Sequence, residues 1–119
     1  MANLAIIELV ASQRCRQMRK EKPIAEVEYT LKENEAIITV KEFNDFIGYE
    51  IVESLESLAS PEDSVIRASD VISRGFHLGM VVPIEFRVPM RKCIEDIQEM
   101  SGCRPEIHTY TSLGEITDF

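Results

Sequence analysis

The chain has 119 residues, 45% of them apolar and 29% charged, with three cysteines and a net charge of −8. That composition excludes an intrinsically disordered chain, and the length suits one globular domain over residues 1–119. Its overall acidity weighs against a phosphate-backbone partner, because binding nucleic acid relies on clustered Lys and Arg that release counterions.

The apolar stretch "LAIIELV" is broken by Glu8, and its positive charges follow rather than precede it, so it does not read as a signal peptide. No run reaches the roughly 18 apolar residues of a membrane span. An odd cysteine count without an export signal argues against a disulfide framework. The expectation is a cytoplasmic protein with no membrane partner.

Residues 4–20 place Ile7, Val10, Ala11, Cys15 and Met18 at helical spacing, and Pro23 stops the helix. Arg14, Arg16, Arg19 and Lys20 fall in its last turns, where they complement the negative end of the helix dipole. A basic patch for nucleic acid is the weaker reading of those four. The period then changes to two. In "IAEVEYTL" the residues Ala25, Val27, Tyr29 and Leu31 alternate with Glu26, Glu28 and Thr30; "KENE" is a hairpin loop and "AIITVKEF" the partner strand.

Residues 44–59 return to helical spacing, with Ile47, Ile51, Leu55 and Leu58 on one side and an acidic face of Glu50, Glu53 and Glu56 on another. Asn44 or Asp45 would cap that helix. "SPED" opens a further helix, with Ser60 as cap and Pro61 first inside. In "RGFHLGM" Gly75 reads as the left-handed residue that stops this helix, Phe76 as the residue that folds back, and "HLG" as a turn. "VVPIEFRV" alternates as a strand over 81–88, Pro89 starts a helix with Met90, Ile94, Ile97 and Met100 in its stripe, and "SG" ends it. "PEIHTYTS" is the last strand, and residues 113–119 are expected to be a partly ordered tail.

The predicted fold is α+β, a two-layer sandwich whose mixed sheet of about four strands carries helices on one face. No glycine-rich phosphate loop and no zinc spacing occur, so neither a cofactor nor a metal is expected. The chemistry-bearing candidates form one pocket of His77, Cys103, His108 and Tyr110, with Glu106 beside His108 on the same strand face. Cys93 falls near an apolar helical stripe and reads as structural. Residues 23–70 hold twelve acidic against three basic side chains. The leading expectation is therefore a non-enzymatic acidic interaction module that docks to a protein partner or self-associates through Glu26, Glu28, Glu50, Glu53 and Glu56. A small-molecule or catalytic pocket at the His77 cluster is the alternative.

Overall fold

The computed structural model describes residues 4–119. Helix α1 spans Leu4–Glu21 and is followed by an antiparallel meander of β1 (Ala25–Leu31), β2 (Ala36–Glu42) and β3 (Asp45–Val52). Helix α2 (Pro61–Ser73) leads to β4 (His77–Pro83), and α3 (Arg87–Ser101) leads from β4 to β5 (Glu106–Tyr110). A last strand, β6 (Ile116–Asp118), completes one six-stranded sheet in the order β1-β2-β3-β4-β5-β6. β3, β4 and β5 are parallel, and β6 returns antiparallel to β5.

The class is α+β with a mixed sheet, as the sequence predicts, but there are six strands rather than about four. Helices also pack on both faces rather than one. Val81 sits in a core with Ile7, Val10 and Met18 of α1, whereas its neighbours Met80 and Val82 sit in a second core with Val65 and Ala68 of α2 and Met90, Ile94 and Ile97 of α3. Adjacent strand residues point to opposite faces, so the two cores lie on opposite sides of the sheet.

Several local signals act as read. The hairpin pairs Leu31 with Ala36 and Ala25 with Glu42, which leaves "KENE" as the loop. Pro61 opens α2, although the Ser60 hydroxyl makes no capping bond. Gly75 takes φ 87°, the Phe76 N–H donates to the Val71 carbonyl and the Gly75 N–H to the Ile72 carbonyl. That pair of bonds is the Schellman stop.

Other readings are overturned. The helix over 44–59 is instead β3 followed by an irregular strap. Its i, i+4 apolar spacing is real but competes with Phe46, Ile47, Tyr49, Ile51 and Val52, which fit a pleated surface, and with Gly48, which weakens a helix. Phe43 and Asn44, both at positive φ, form a two-residue hairpin turn in place of a helix cap. The acidic face of Glu50, Glu53 and Glu56 does not exist: Glu50 and Glu53 are each 0% exposed, and Glu56 alone of the three is exposed.

The strand expected at 81–88 starts earlier, at His77, and ends at Pro83; Ile84–Phe86 is a single 3-10 turn before α3. β4 is buried from Leu78 onward. A parallel strand covered on both faces reads as a continuous apolar run, so its alternation was sought in the wrong place. Met100, expected in the buried stripe of α3, is exposed.

The expected tail is ordered as β6. Gly114, at φ 83°, turns the chain back, and its carbonyl accepts a 2.9 Å bond from the Gln13 side chain of α1.

Candidate functional site

The parallel strands carry a polar centre at each end. At the amino ends lies Arg14, 3% exposed, whose guanidinium donates through Nε to Glu50 Oε1 and through Nη2 to Glu50 Oε2 at 3.3 Å. The sequence reading placed Arg14 among the basic residues of the last turns of α1; the buried carboxylate of β3 draws it inward. The Glu50 carboxylate fits because β4 presents Gly79 there, where a Cβ would lie 2.8 Å from Oε2. Gly79 is thus a strand residue making room for a carboxylate, and the "HLG" turn is not formed. Burial pulls the Arg14 pKa down, but the hydrogen bond and charge of Glu50 outweigh it and leave it above the ordinary value.

Glu106, at the start of β5, is 3.6 Å from Arg14 Nη2, 3.3 Å from His77 Nε2 and 3.1 Å from His108 Nε2. One carboxylate therefore lies between two imidazoles. Burial works to raise the Glu106 pKa, yet the His108 hydrogen bond and the Arg14 charge hold it below the usual carboxylate range. Tyr110 shares the strand face but turns into the core, where its hydroxyl donates to the Glu53 carbonyl at 2.7 Å. Burial, with Glu85, Glu56 and Glu53 around it, pushes that phenol well up. Cys103 does not join the Glu106 cluster; it is exposed and shares with His77 a separate cavity of about 290 Å³. Cys15 and Cys93 are buried, and burial raises both thiols.

At the carboxyl ends of the same strands, Glu53 follows β3 and bonds through its N–H to the Val81 carbonyl of β4. The Ser57 hydroxyl donates to its Oε2 at 2.8 Å, and Arg67 of α2 lies 3.4 Å from Oε1 while also bridging to Glu35 at 3.0 Å. Burial and the neighbouring Glu35 carboxylate push the Glu53 pKa up to about 7, against the pull of the Ser57 bond and Arg67. Glu35 and Arg67 were not singled out by sequence reasoning, and no spacing rule joins residues 35, 53 and 67.

The four basic residues proposed as a patch are split. Arg14 is interior, Arg19 donates to the Val27 carbonyl at 2.6 Å, and Arg16 and Lys20 are exposed. Glu26 and Glu28 are exposed on the edge strand β1. Among the described residues no His, Cys, Asp and Glu side chains group so as to hold a metal ion, and no helix is long and apolar enough to cross a membrane.

An apolar groove of about 650 Å³ lies between the N-terminal half of α2 and the length of α3. Val65 and Cys93 are buried along it, while Ile66 and Met100 stand 56% and 59% exposed beside them.

No family model matches the chain, and neither the curated proteins nor the solved structures contain a significant match.

Two measurements test these centres. Arg14→Ala leaves the Glu50 charge buried without its partner and should cost about 3–5 kcal/mol in urea unfolding, whereas Arg14→Met with Glu50→Leu should cost far less. Equal losses would remove the ion pair as the cause. For Glu53, whose pKa is raised from 4.5 to about 7, the folded chain holds a proton in that interval that the unfolded chain releases. Stability should therefore fall as pH rises from 5 to 8, by on the order of 3 kcal/mol, and Glu53→Gln should flatten the slope. Lowered carboxyls such as Glu106 act in the opposite sense, below their own unfolded value.

Proposed function

We propose that this chain is a protein-docking module, a subunit, adaptor or inhibitor that works in the cytoplasm by binding a protein partner. The observation that carries this reading is the preformed groove between α2 and α3, with Ile66 and Met100 exposed along an otherwise well-filled core. Removing such surface from water contributes roughly 25 cal/mol per Å² of apolar area buried. The net charge of −8 adds long-range steering toward a basic surface, in which the exposed Glu26 and Glu28 take part. Glu50 and Glu53 have a different task, since both carboxylates are consumed by interior cations and hydroxyls. Three free cysteines suit a reducing compartment.

A second reading, small-molecule binding or catalysis, is favoured by one observation: Glu106 holds His77 and His108 at hydrogen-bond distance, and His77 reaches the cavity that Cys103 lines. A carboxylate oriented against imidazole is an arrangement that general acid–base chemistry uses. Nucleic-acid contact through Arg16, Arg19 and Lys20 is weaker, with Arg14 withdrawn from that surface.

Native mass spectrometry of the protein purified gently from its own source separates the two. The docking reading expects a second polypeptide or a second copy retained by the wild type and lost from Ile66→Asp with Met100→Asp, while the melting temperature stays unchanged. A mass of a few hundred daltons that leaves on denaturation, and is absent from His77→Ala, would overturn it in favour of the pocket.

A further inference from the structure

Resting on the docking reading, we infer that the α2–α3 groove receives a basic amphipathic helix of about three turns, supplied by a different protein. The groove follows α3 from Pro89 through Cys93 and Asp96 to Met100. Those positions recur every three or four residues, so they form one row along the helix, and the eleven steps from Pro89 to Met100 at 1.5 Å rise make it about 16 Å long. Beyond the first turns both walls are helices whose backbone donors and acceptors bond within them, so along most of the groove an occupant gains little from main-chain pairing. Its affinity must come from side chains laid into the row, and an amphipathic helix supplies them at i, i+3, i+4 and i+7. Met100 adds a flexible, polarisable contact that adapts to the partner's anchors.

The charge of the rim selects the sign. Glu62 stands on the α2 side, and Asp96 and Glu99 on the α3 side. The one cation among the lining residues, Lys92, is tied to Asp96 at 2.8 Å. Glu62 and Glu99 therefore present net negative charge on opposite walls, which favours a helix carrying Lys or Arg on both flanks of its apolar stripe.

A second copy of this chain is a poor source of that helix. Its basic helix is α1, and α1 buries Ile7, Val10, Cys15 and Met18 against the sheet and pins Arg14 to Glu50. Offering that apolar stripe to a neighbour would require α1 to leave its own core.

The test uses the full chain and two synthetic fluorescein-labelled peptides of equal length. Both have leucine at helical spacing; one carries lysine on its flanks and the other glutamate. Fluorescence anisotropy should show the lysine peptide binding with a Kd of about 1–50 μM and the glutamate peptide at least about tenfold weaker. Raising salt should weaken the lysine peptide. Ile66→Asp with Met100→Asp should weaken it at least about tenfold, and Glu62→Lys with Glu99→Lys several-fold, with circular dichroism of both variants matching the wild type. Lysine-peptide binding that survives the Asp substitutions undiminished is charge attraction elsewhere and overturns the proposal. Tighter binding of the glutamate peptide, lost on the Asp substitutions, overturns the basic partner while leaving the docking site standing. A concentration-dependent dimer that the Asp substitutions dissolve does the same, replacing the helix by a second copy. If neither peptide binds and the chain stays monomeric and partnerless, the helix and the docking reading fall together.

Discussion

The buried pair between Arg14 and Glu50 sets the geometry of this molecule. Two charges withdrawn from water are tolerable only when each meets the other with good hydrogen-bond geometry. Here the guanidinium engages both carboxylate oxygens, and Gln17 accepts a further bond from Nη1 at 3.0 Å. That requirement fixes the axial position of α1 over β3. It also dictates glycine at position 79, because the carboxylate occupies the volume a Cβ would need. Gly48 extends the same constraint two pairings away: a Cβ there would lie 2.5 Å from the His77 carbonyl oxygen. β3 and β4 therefore approach each other at two glycines, and the ion pair closes over them from the α1 side.

With that face committed, the remaining polar groups fall at the strand ends. Glu106 gathers His77, His108 and a second contact to Arg14 at the amino ends. Glu53, Ser57, Arg67 and Glu35 gather at the carboxyl ends, where crevices outside a parallel sheet commonly take ligands. Burial and the Glu35 carboxylate raise the Glu53 pKa, and Arg67, half-exposed and shared between the two carboxylates, offsets them only in part.

The sequence was most legible where local geometry decides the outcome. Gly75 and Phe76 stop α2 through bonds that span five residues, and "KENE" closes a hairpin within four; both are set by nearest neighbours. It was least legible where burial on two faces erases periodicity. β3 reads as a helix because Ile47, Ile51, Leu55 and Leu58 share a helical spacing, while its strand character depends on a sheet that the segment itself cannot reveal. The candidate residues show the same division. His108 and Glu106 were legible as neighbours on one strand, and His77 joins them only through the parallel pairing of β4 with β5. Glu50 in "GYEIV" carried one unread signal: a lone carboxylate inside an apolar run needs a buried cation, and the basic residue nearest an apolar stripe was Arg14.

The two cores differ in how completely they are covered. α1 lies across the sheet on one face and is fastened near its middle, by Gln13 to the carbonyl of Gly114 and by the adjacent Arg14 to Glu50. On the other face α2 and α3 pack on each other and on the parallel strands, and among the described residues no further element covers their outer surface. Their positions are fixed from beneath by Val65, Ala68, Met90, Ile94 and Ile97, all buried. A groove whose walls are held by a packed core does not have to be ordered when it is occupied, so little of the interaction energy is spent on conformational entropy. The interior charge lies on the α1 side of the sheet and the exposed groove on the other, with β3 and β4 between them.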